Sequence, residues 1–164
     1  MSDLATHRLC DVVFTCPDAW IVEPVPGLRG VIAMHPEIER RWRANVMFEL
    51  VPRSADRPLA HSLERLCDTL AETQRGLHVR RRAVARRPSG GVVASVEYDA
   101  LQDDVALTQR DMLWAAARDQ NLHLTASAEC TLWPRYEPVF DSILASVCSP
   151  DEVVGAKLHS GAEG

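Results

Sequence analysis

The stretch VVASVEYDALQDDVALTQRDMLWAAARDQNLHLTASAECT, residues 92–131, decides the fold. Over 92–99, Val92, Ala94, Val96 and Tyr98 alternate with Val93, Ser95 and Glu97. Over 122–131, Leu122, Leu124, Ala126 and Ala128 point one way and His123, Thr125, Ser127 and Glu129 the other. A period of two marks strands with one buried and one wetter face. Gln102-Asp103-Asp104 and Asp119-Gln120-Asn121 are turn clusters, because short acids and amides bond their own backbone there. Between them lies one long strand, 105–116. Strands joined by turns this short form an antiparallel meander.

Working outward, 77–85 is a strand joined to 92–99 by the turn Pro88-Ser89-Gly90-Gly91. Before it, Leu59, Leu63, Leu66 and Leu70, with Cys67 beside them, recur at spacings that give a helix one apolar face. Asp56 is its expected N-cap, Pro58 lies in its first turn, and Gly76 is the expected stop. Earlier strands are read at 10–16, stopped by Pro17, and at 20–22. Two more follow at 30–34, after a turn at Pro24, Pro26 and Gly27, and at 45–51, ended by Pro52. Residues 36–43 form a charged connection with one helical turn. A last helix opens at Trp133-Pro134, its stripe made of Tyr136, Phe140, Ile143, Leu144 and Val147. Residues 149–164 lack periodicity and are expected to form a loose tail behind a single domain, 1–148. Four strands, a helix, four strands and a helix argue for α+β with an antiparallel sheet.

Composition narrows the function classes. The chain has 164 residues, 46% hydrophobic and 25% charged, the balance of a globular protein rather than a disordered or fibrous one. Its net charge of −5 does not suit a molecule built to coat nucleic acid. The N-terminal residues have no apolar run of signal-peptide length, and no window approaches a membrane span, so a cytoplasmic location is expected. Five cysteines are an odd number without CxxC spacing, so a disulfide framework is not expected, and Cys16, Cys67 and Cys148, set among apolar neighbours, read as small core hydrophobes.

No constellation of catalytic type emerges. The six histidines are scattered, without the HxH or HExxH spacing that would bring metal ligands together. Nucleophile-elbow and phosphate-cradle signatures are absent. The chain is therefore expected to be no enzyme and to need no cofactor or metal. The unusual feature is charge. Arg75, Arg80, Arg81, Arg82, Arg86 and Arg87 occur with no acid between Glu72 and Glu97, and an acidic stretch follows with Glu97, Asp99, Asp103, Asp104 and Asp111. The arginines could grip phosphate or an acidic partner. Equally, the two strands could be neighbours whose charges pair, each exposed pair adding about 0.2–1 kcal/mol. Trp42, set among Arg40, Arg41 and Arg43, is either an interaction anchor or folded onto the sheet. The candidate interaction surface is Trp42, Arg80, Arg81, Arg82, Arg86 and Arg87. Aromatic residues do not interleave these arginines, which counts against nucleic acid.

Three patterns carry a family resemblance. They are Phe14-Thr15-Cys16-Pro17-Asp18-Ala19-Trp20, then Arg43-Ala44-Asn45-Val46-Met47-Phe48 ahead of the first helix, and the block from Leu122–Thr125 through Trp133 to Tyr136-Glu137-Pro138-Val139-Phe140. With the order of elements, they resemble the PsbP-like superfamily, in particular its LpqN and DcrB-like groups, to which the Eag chaperones of type VI secretion are similar. That resemblance spans residues 10–148. It implies an α/β/α sandwich in which a central antiparallel sheet is flanked by two main helices. It also implies a non-enzymatic protein-binding, adaptor or chaperone-like module using its sheet face, alone or as a homodimer, associated with secretion or cell-envelope proteins. The alternative is a small-ligand or lipid-binding domain with a pocket between sheet and helix.

Overall fold

The computed structural model describes residues 3–53, 57–87, 91–117 and 119–148. Its elements are β1 (Leu4–Leu9), β2 (Val12–Pro17), β3 (Ile21–Pro24), β4 (Gly30–Met34), β5 (Asn45–Pro52), α1 (Leu59–Thr73), β6 (Arg75–Arg86), β7 (Val92–Gln102), β8 (Val105–Ala117), β9 (Gln120–Glu129) and α2 (Trp133–Ser146). Seven strands form one antiparallel sheet in the order β3-β4-β5-β9-β8-β7-β6, and β1 pairs with β2 in a separate hairpin. The expected meander is the β6–β9 half of this sheet. Asp103 and Asp104, at φ 48° and 60°, make its tight turn in the left-handed region that aspartate tolerates.

The period-two pattern sorts the sheet into two faces. Leu113 of β8 packs with Leu63, Cys67 and Leu70 of α1 and with Ala94, Val96, Tyr98 and Ala100 of β7. Its neighbour Trp114 packs on the other side with Leu122, Leu124, Ala126 and Ala128 of β9 and with Trp133, Tyr136, Phe140 and Ile143 of α2. The β1–β2 hairpin joins α2 on that second face, where Phe14 stacks on Phe48 of β5 at 4.0 Å between ring centres. Thr15 N–H donates to Ser146 Oγ at 2.8 Å, and Val13 bridges to Cys148, so hairpin and helix are locked together. The result is the expected α/β/α arrangement, with a hairpin added to the α2 layer.

Several local expectations are corrected. The first strand, read at 10–16, is the second arm of a hairpin. Its turn is at Cys10, with φ 49°, and residues 4–9 form the other arm. That arm is half exposed and its sequence, Leu4-Ala5-Thr6-His7-Arg8-Leu9, carries no apolar alternation, so only pairing with β2 reveals it. Residues 36–43 hold no helical turn. Instead Glu39 bridges to Trp42 around Arg40 at φ 57°. Gly76 does not stop α1, which ends at Thr73 with Gln74 already extended. Its φ of +64° serves the register shift between Arg75 and His78 in β6. Gly30 answers to a close approach, since a Cβ there would lie 2.4 Å from the Phe48 carbonyl oxygen. The expected N-cap at Asp56, the turn at Pro88-Ser89-Gly90 and the tail 149–164 lie outside the described residues.

Candidate binding groove

On the α2 face, the helix rests mainly on β2 and β9, leaving the outer strands beside it open. A groove of about 370 Å³ runs in the angle between α2 and β6–β8. Val93, Met112, Trp114, Leu124, Leu144 and Val147 make an apolar floor and wall. Each strand residue reaches it because alternate positions of β7 and β8 face α2. Trp114, only 5% exposed, is the floor's largest side chain.

The rim is basic at one end and ion-paired at the other. Arg87 stacks its guanidinium 5.0 Å from the centre of the Trp114 ring and donates Nη2 to the Val147 carbonyl at the end of α2. At the opposite end Arg110, 7% exposed, donates Nε and Nη2 to Glu97 Oε2 at 3.0 and 2.8 Å. It also pairs with Glu137 and Asp141 of α2 and lies 5.4 Å from the centre of the Trp133 ring. A buried guanidinium is costly unless its donors are satisfied, and these three carboxylates satisfy it while tying α2 to the sheet. Arg81 reaches Glu97 from the edge strand at 3.4 Å.

The candidate residues read from the sequence divide among these places. Arg81, Arg86 and Arg87 line the groove. Arg80 pairs with Asp99 at 2.9 Å and Arg75 with Asp104 at 3.4 Å, so the basic and acidic stretches do lie on neighbouring strands and partly pair. Burial alone would push the Asp99 carboxyl up, but hydrogen bonds from Thr108, Arg80 and Cys130 hold it below the ordinary range. Arg82 sits opposite Val96, on the α1 side. Trp42 is not brought to the arginines. It is half-buried on the α1 side of the sheet, its Nε1–H donating to Ser127 Oγ at 3.0 Å.

A second polar cluster, invisible to sequence spacing, lies under the α1 side. Asp111, buried in β8, accepts from Tyr98 OH at 2.7 Å and Thr125 Oγ1 at 2.6 Å, and its Oδ1 lies 2.7 Å from His123 Nε2. Burial works against the His123 charge, but its hydrogen bond to Asp111 and the charges of Asp111 and Glu49 outweigh that and raise its pKa. Burial and the Asp111 carboxylate push the Tyr98 phenol up. Strand alternation placed His123 and Thr125 on one face. The arrival of Asp111 and Tyr98 there required the β7–β8–β9 register. Thr125 Oγ1 also lies 3.5 Å from His123 Nε2, and among the described residues no group of three or more His, Cys, Asp or Glu is arranged to hold a metal ion.

No family model matches the chain, and no curated protein matches it in sequence. Solved structures do match in fold. Cyanobacterial PsbP (CyanoP) from Synechocystis sp. PCC 6803 superposes with a TM-score of 0.70 at 18% identity, covering 91% of this chain and 94% of CyanoP. LpqN of Mycobacterium tuberculosis, involved in cell envelope biogenesis, gives 0.70 at 12% identity over 90% of this chain and 91% of LpqN. The Ran-binding protein Mog1p of Saccharomyces cerevisiae gives 0.65 at 6% identity, over 91% and 96%.

Proposed function

We propose that this chain, which has the PsbP-like fold of CyanoP and LpqN, is a non-enzymatic binding module that takes up a segment of a partner protein in the groove beside α2. The groove carries the reading: an apolar floor ending in Trp114 is rimmed by Arg81, Arg86 and Arg87. Buried aromatic floors with arginine at the rim are the usual anchors of protein interfaces. Support of a coarser kind comes from Mog1p, a Ran-binding protein on the same fold. The partner's contacting segment combines apolar side chains with acidic ones.

The groove's size also suits a small apolar ligand, since such pockets run about 300–1,000 Å³. Photocrosslinking separates the two. A photoreactive residue in place of Ala145, exposed on the groove side of α2, should capture one discrete protein in the cells that make this chain. Filling the groove with Ser95→Phe should abolish the adduct without loss of folding. Capture that persists after filling overturns the reading. A small molecule found by native mass spectrometry, with no protein adduct, replaces it with the ligand reading.

A further inference from the structure

The two edges of the seven-stranded sheet differ. At one edge β3 has four residues and ends in Pro24, which has no N–H to offer another strand. At the other edge β6 has twelve. Register shifts between Arg75 and His78 and between Val79 and Arg81 break its first half, as irregularities that blunt an edge do. From Arg81 opposite Glu97 to Arg86 opposite Val92, its ladder with β7 is continuous. Among the described residues no strand lies outside that run, and its residues are exposed.

This regular half of the edge is the half that borders the groove, to which it contributes Arg81, Ala85 and Arg86. On the α1 side it presents Arg82 and Val84, the latter 53% exposed. A second copy of this edge would set arginines against arginines, which cross-strand repulsion opposes. An acidic strand would meet complementary charge on both faces, with small or apolar side chains between.

We propose that the 81–86 run of β6 is a strand-addition site, at which an extended acidic segment of a partner protein pairs as a further strand and lays its groove-side residues over the apolar floor. The proposal rests on the groove reading and specifies how the partner enters. Backbone pairing supplies affinity, and Arg81 and Arg82 select for acids.

The probe is a fluorescein-labelled peptide of alternating valine and glutamate, titrated into the full chain at low salt and followed by hydrogen exchange. The peptide should bind and slow exchange at residues 81–86. Methylating its backbone amides should weaken binding by about tenfold or more. Replacing its glutamates with lysines, or introducing Arg82→Glu, should weaken it as well. Equal binding by the methylated peptide, with slowed exchange confined to β8 and α2, overturns strand addition and leaves the groove reading standing. Absence of binding by the valine–glutamate peptide overturns strand addition too, while crosslinking from position 145 decides the groove reading separately.

Discussion

The two faces of the sheet are covered by different chemistry. On the α2 face all three phenylalanines, Phe14, Phe48 and Phe140, are wholly buried, and Trp20, Trp114 and Trp133 are nearly so. On the α1 face the helix lays Leu63, Cys67 and Leu70 over Ala94, Val96 and Ala100, and the aromatics are two, Tyr98 tethered to Asp111 and the half-buried Trp42 tethered to Ser127. Aromatic packing and the Arg110 ion pairs anchor α2, and its placement over β2 and β9 creates the groove as a by-product. The α1 layer is lighter and carries its polar cluster inside the sheet. Binding surface and fold stability thus meet on the α2 face.

That contrast makes a graded set of predictions. Phe140→Ala should be the most damaging, destabilising by about 3–5 kcal/mol in urea denaturation, because it opens a cavity among rings that cannot collapse. A loss as small as that of an exposed alanine substitution would show that the α2 core is not the anchor. Arg110→Met should cost about 3 kcal/mol, since Glu97 is left buried with only the longer Arg81 contact. Leu70→Ala, at the lighter α1 core, should cost about 2 kcal/mol, less than Phe140→Ala by the same measurement.

His123→Gln sharpens the comparison through pH. The folded-state pKa of His123 is raised above its ordinary 6.5, so its pairing with Asp111 contributes fully below that value. The contribution is lost as pH rises through the higher folded value. The stability gap between the native chain and His123→Gln should therefore narrow as pH is raised from 6.5. A gap that widens would contradict the His123–Asp111 pairing. Arg75→Ala, which removes an exposed pair with Asp104, should change stability by less than about 0.5 kcal/mol.

Much of this arrangement is legible in residue order. Alternation over 92–129 sorts Leu113 from Trp114 and His123 from Leu124 without any knowledge of the fold, because side chains of a strand can only take opposite sides. The leucine spacing of 59–70 and the stripe from Tyr136 to Val147 mark both helices. The groove is less legible. Its arginines stand out, but Met112, Leu144 and Val147 look like any core residues until α2 is seen to stop short of β6.

What the sequence determined by itself is local: periodicity, turn chemistry and charge, each acting over a few residues. Tertiary structure decided the rest. It made β1 a strand through pairing with β2, turned Gly76 from a helix stop into an edge irregularity, and set Trp42 and Arg81 on opposite faces. It also gathered Tyr98, Asp111 and His123 from three strands, and Glu97, Arg110 and Asp141 from two strands and a helix. Strand register and helix placement are settled by which apolar surfaces can be buried together, a condition on the whole chain that no short window contains.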